Sequence, residues 1–127
     1  MTQEDKQLLL KDLSARLRYG LIVSPSDCGN ARLVGCLLDS VLIQDIRTGE
    51  CYNKPWDIEY VMPYLRPMSS MTEEEKLMYE GLMIGTDNIS YMLDVIDWLL
   101  KNHFDFRGLI PKGLAIAVTE ENNPYKE

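Results

Sequence analysis

The chain has 127 residues and a mass of 14.6 kDa, with 46% apolar and 26% charged residues and a formal net charge of −7. This is the make-up of one globular domain, residues 1–127, with a folded surface of roughly 6,900 Å² against roughly 21,000 Å² unfolded. A membrane-spanning helix is excluded, because no apolar run approaches ~20 residues. A pI near 4.7 without any basic run argues against a nucleic-acid partner, since phosphate recognition starts from Lys and Arg.

The start, Met1 to Asp5, is polar and acidic and does not resemble a signal peptide, so a cytoplasmic location is expected. Cys28, Cys36 and Cys51 are odd in number and form no C-x-x-C pair, which fits reduced thiols. Most of the negative charge lies in residues 68–103, where seven acids face two lysines.

Thr2 is placed as an N-cap, and Leu9, Leu10, Leu13 and Leu17 follow at helical spacing. The spacing predicts a helix over 3–18, ending before Gly20, with Asp12 and Arg16 paired on its polar side. The basic residues Lys6, Lys11, Arg16 and Arg18 read as a solvated helix face. From residue 19 the period changes. Leu21 to Val23, Leu33 to Leu38, Val41 to Ile46 and a fourth piece starting at Cys51-Tyr52 read as short strands. Tight turns between them predict a small antiparallel sheet of 3–5 strands, open or barrel-like. Continuous apolar patterning suggests strands buried on both faces.

Asn53 to Trp56 reads as a turn, and Ile58 to Met62 as a short strand or helical turn before an irregular connector. Thr72 and Glu75 then form a capping box ahead of a helix with Met78, Tyr79, Leu82 and Met83 on its buried face, ended by Gly85. A last helix over 89–102 carries Met92, Val95, Ile96 and Leu99 as its core stripe. Leu114 to Val118 is a candidate final strand, and residues 118–127 are expected to be a mobile tail. The fold class is therefore α+β: an N-terminal helix, a small sheet and two C-terminal helices.

Several chemistries are weighed and set aside. Glu73, Glu74 and Glu75 point about 100° apart on a helix and cannot share one metal ion. Glycine-rich phosphate loops are absent, and so is the G-x-S-x-G elbow. His103, the single histidine, reads as a helix C-terminal residue whose protonated form the dipole favours. A thiol or histidine enzyme built on Cys28 and His103 is not set aside but kept as a further alternative, weakened by Asp27, whose charge would raise the thiol pKa. No cofactor, metal or catalytic residue is assigned.

The best candidate site is Trp56, Tyr60, Tyr64 and Arg66. Flat side chains beside a guanidinium can anchor a protein partner or stack a planar ligand. Two functions stay open on these residues. One is a non-enzymatic protein acting by protein–protein interaction or self-association. The other is a binder of a small ligand such as a signalling nucleotide, with Trp56 and Tyr60 on the base and Arg66 on phosphate.

Three groups of segments also carry a resemblance. The first is Asp5 to Leu17 leading into Tyr19-Gly20 and Asp27-Cys28-Gly29. The second is Pro63 to Glu75. The third comprises Ile96 to Leu99, His103-Phe104-Asp105, and Arg107 to Ile110 with Lys112 to Ala115. Together they resemble a family of small proteins, without an assigned activity, found among gut anaerobic bacteria and their phages. The resemblance does not extend over roughly 30–57. It implies an accessory, mobile-element-borne protein and transfers no catalytic residue.

Overall fold

The structure is a computed structural model, described over residues 1–26, 28–52, 54–84 and 88–126. The expectations placed on Asp27, Asn53, Gly85 and Glu127 lie outside the described residues. The order is α1 (Gln3–Ala15), β1 (Ile22–Pro25), β2 (Ala31–Cys36), β3 (Ser40–Asp45), β4 (Trp56–Asp57), β5 (Val61–Leu65), α2 (Glu73–Met83), α3 (Ile89–Lys101) and β6 (Ile116–Ala117). The class is α+β, with three α-helices and one sheet among the described residues. No described helix is long and apolar enough to cross a membrane.

The Thr2 hydroxyl accepts from the Asp5 N–H at 3.0 Å and starts α1. The helix stops earlier than its leucine spacing suggests, then tightens into a 3₁₀ turn over Leu17–Tyr19. Gly20 ends that turn at φ 68°, a conformation that costs glycine little. Leu9 and Leu13 are fully buried against the sheet.

Strand order is β4-β3-β2-β1-β5-β6. The first five strands pair antiparallel, and β6 joins β5 in parallel. Two expectations are corrected here. The sheet has six strands rather than three to five, because Ile116–Ala117 returns to the β5 edge. It is also not closed into a barrel. It does curl: Asp57 and Val61 are four residues apart and span at most ~14 Å. A flat sheet would hold β4 and β5 about 19 Å apart, four strand spacings.

Continuous apolar runs do not mean burial on both faces. Along β2, Ala31 and Leu33 are buried while Arg32 and Val34 are exposed, and in β3 Leu42 faces out between buried Val41 and Ile43. Apolar residues on the outer face break the alternation that would have marked one-sided strands. Gly35 follows a register shift at Leu33, and a Cβ there would sit 2.9 Å from the Leu42 side chain. The fourth strand is Trp56–Asp57, while Cys51 makes only an isolated bridge to Gln44.

Pro63 stands in β5 opposite Val23. Beyond that pair, the Tyr125 hydroxyl accepts from the Ile22 N–H at 3.1 Å and donates to the Tyr64 carbonyl at 2.8 Å. It thus joins a backbone N–H of β1 to a backbone carbonyl of β5. The segment 118–127, expected to be mobile, makes this contact. The Val118 N–H also donates to the Leu65 carbonyl.

A smaller second core of Met71, Val95, Leu99 and Phe104 seats the α2–α3 hairpin at the sheet's end. The Thr72–Glu75 capping box forms as expected. The expected burial of α2 forms only in part: Tyr79 and Leu82 pack half-buried against this second core. None of its residues is fully buried, and Met78 and Met83 are 53% and 43% exposed. Of the four stripe residues expected in α3, only Val95 and Leu99 are buried. The accessible surface, 8002 Å², exceeds the roughly 6,900 Å² of a compact monomer this size. A hairpin held at one end accounts for that direction of departure.

Candidate functional site

The four residues singled out by sequence do not converge. Trp56 lies on β4, half-buried, edge-on to Tyr52 at 5.8 Å. Tyr64 is buried on β5, and its hydroxyl donates to the Asn30 side chain at 3.0 Å. Arg66 makes two short bonds to Glu75, 2.6 and 2.7 Å, and lies 4.2 Å from the Phe104 ring centroid. Only Tyr60 is exposed, in a shallow groove with Ser24, Pro25, Cys28 and Met62. The guanidinium meant for a phosphate is thus committed within the fold, and β4 and β5 stand at separate places in the strand order.

Arg66 instead belongs to the joint that fastens the hairpin. Its N–H donates to the His103 carbonyl at 2.7 Å, and its carbonyl accepts from the Asp105 N–H at 2.9 Å. The Arg66 pair holds the Glu75 carboxyl down at about 2, below the ordinary 4.5. A depressed carboxylate adds stability above its unfolded pKa and loses it as pH falls through its folded pKa. Replacing Glu75 by Ala should therefore cost about 1–2 kcal/mol at neutral pH, since the pair is partly solvated. The deficit should shrink between pH 4.5 and 2 in urea titrations of the two proteins. A deficit unchanged at pH 2 would detach it from this charge.

Behind the joint lies a buried polar group that sequence placed on the surface. Asp12 and Arg16 are both fully buried. Arg16 donates to Asp12 at 2.7 and 3.2 Å and to the Phe104 carbonyl at 2.6 Å. Arg107 donates to the same carboxylate at 3.1 Å. Both guanidiniums lie against Phe106, 5.5 and 5.0 Å from its centroid. Asp105 receives the N–H groups of Leu109 and Ile110 at 2.8 and 2.9 Å. Each carboxylate here has its donors, so the group ties α1 to the chain after α3.

His103 is corrected as well. It follows α3 at φ 63°, the single positive φ outside glycine among the described residues. Its ring stacks on Tyr125 at 4.0 Å and 9°. Burial, then the charges of Arg16 and Arg66, push its pKa down to about 4 from 6.5, so it is neutral where the dipole argument would protonate it. Burial likewise raises the Tyr125 hydroxyl. Cys28 is exposed beside the Tyr60 groove, while His103 is stacked on Tyr125 of the tail. The half-buried Cys36 thiol is raised by burial. Among the described residues, no three His, Cys, Asp or Glu side chains gather as a metal would need.

The feature that sequence reasoning missed is on α3. Ile89, Met92, Leu93, Ile96, Leu99 and Leu100 recur at helical spacing and share one stripe. Its far end, Leu99 and Leu100, is buried inside the molecule. Its near end is not: Ile89 is 75% and Leu93 55% exposed, with Met92 and Ile96 partly exposed. Met83, Met92, Val95 and Ile96 line an apolar depression of about 190 Å³ beside it. The signal was present in the sequence: nine of the thirteen α3 residues are apolar or aromatic, more than one buried face requires. Comparison of the chain with protein-family models, with curated proteins and with solved structures finds no match.

Proposed function

We propose that this chain is a small, non-enzymatic accessory protein of the cytoplasm that works by protein–protein contact through the exposed stripe of α3. The observation that carries the reading is the course of that stripe, which leaves the protein's own core and continues into solvent with no change of character. Contiguous exposed apolar surface of this extent is a mark of an interaction face rather than of ordinary surface composition. Free thiols at Cys28, Cys36 and Cys51 suit a reducing compartment. The interaction reading of the sequence is kept, and its place moves from Trp56, Tyr60, Tyr64 and Arg66 to the hairpin.

The test is a photo-crosslinking amino acid placed at Leu93 in cells making the protein, with a control at Arg32 on the outer sheet face. Irradiation should join a protein to the Leu93 position and leave the Arg32 position unjoined. No adduct at Leu93, or the same adducts from both positions, would overturn the reading.

A further inference from the structure

We infer that the occupant of this stripe is a second copy of the chain, packed α3 against α3 about a twofold axis; the inference rests on the interaction reading above. Area is the first argument. Met83, Ile84, Ile89, Met92, Leu93 and Ile96 together expose on the order of 700 Å². A standard interface takes about 800 Å² from each partner, of which little more than half is apolar. One copy of this chain therefore presents the apolar part of a full interface.

Shape is the second argument. A twofold contact needs one patch to carry both protrusions and hollows, because each patch meets itself. Here Ile84 and Ile89 stand 79% and 75% exposed, next in sequence to Met83 and one helical turn before Met92, and Met83, Met92, Val95 and Ile96 line a hollow. Side chains of this kind seat into such a hollow on the facing helix.

The third argument is the missing layer. Helices bury an apolar stripe against a second layer, and four-helix arrangements do so between two hairpins. Among the described residues, the α2–α3 hairpin contributes only Val95, Leu99 and Leu100 to fully buried positions, and nothing covers its exposed apolar stripe. The whole chain exposes about 1,100 Å² more than a compact monomer of its size, and the uncovered hairpin is part of that excess.

Sedimentation equilibrium of the full chain, from low micromolar to submillimolar concentration, tests this. Wild type should fit a monomer–dimer equilibrium. Ile89→Glu should weaken the dimer roughly 30-fold or more, as a charge does in a desolvated interface centre. Ile89 is the first residue of α3, where an acid suits the helix dipole, so the variant should keep its fold by circular dichroism. Leu77→Glu, on α2 away from the hollow, should leave the dimer intact and guards against a general effect of added charge. A monomer throughout, or a dimer indifferent to Ile89→Glu, overturns the inference. A monomer whose Leu93 crosslinks to a different protein overturns the second copy alone; a monomer with no crosslink removes the interaction reading too.

Discussion

Arg16→Met should destabilise the protein by about 3–5 kcal/mol, the cost of breaking a buried ion pair from one side. Arg16 and Asp12 are both fully buried, and the substitution removes two of the three hydrogen bonds to the Asp12 carboxylate. Only Arg107 remains, at 3.1 Å, and the Phe104 carbonyl loses its donor. Met fills much of the space, so the loss reports charge rather than volume. Such a cost is a large part of the 5–15 kcal/mol that holds a domain together. Urea unfolding gives the number. Adding Asp12→Asn to Arg16→Met should recover part of it, because the stranded carboxylate is then gone. A single-variant loss below about 1 kcal/mol would mean that water reaches the pair and that it behaves as a surface bridge.

The second large effect is acid sensitivity through His103. Its folded pKa, about 4, lies below the unfolded 6.5, so between these values the unfolded chain binds the extra proton. Stability should be complete above pH 6.5 and should fall by about 2–3 kcal/mol as pH drops towards 4. Burial of the ring, stacked on Tyr125, sets this first, followed by the charges of Arg16 at the C-cap of α1 and Arg66 just after β5. Asn tolerates a positive φ, so His103→Asn isolates the titration. The variant should be weaker than wild type at pH 7 for want of the stack, and the gap should close or reverse by pH 4. Parallel stability curves for the two proteins from pH 7 to 4 would refute the assignment. The Glu75 contribution fades at lower pH, below 4.5, so the two windows can be told apart.

Both effects arise at places where the sequence misled. Asp12 and Arg16 four apart on a helix resemble a solvent-side pair, because spacing states that two residues meet and not what covers them. The cover comes from Phe104, Phe106 and Arg107, about ninety residues further on. His103 at the end of a helix resembles a dipole-favoured cation until Tyr125 stacks on it and two arginines approach. Trp56 and Arg66, ten residues apart, looked like neighbours on a loop. A 3₁₀ turn and two strands carry them to different parts of the sheet.

The local elements follow from residues close in the chain: the N-cap at Thr2, the capping box at Thr72 and Glu75, the two C-terminal helices, the antiparallel run of strands and with them the α+β class. Each rests on residues within one or two turns of each other, where propensity and hydrogen-bond reach decide. The final strand expected within Leu114 to Val118 forms at Ile116–Ala117, but its parallel pairing with β5, the Tyr125 bridge between β1 and β5 and the burial of Arg16 come only from long-range packing. It alone decided which half of the α3 stripe the molecule covers. A stripe records that a helix has an apolar side; whether its own chain or another lies against that side depends on how far the core extends, and here it ends at Leu99, Leu100 and Val95.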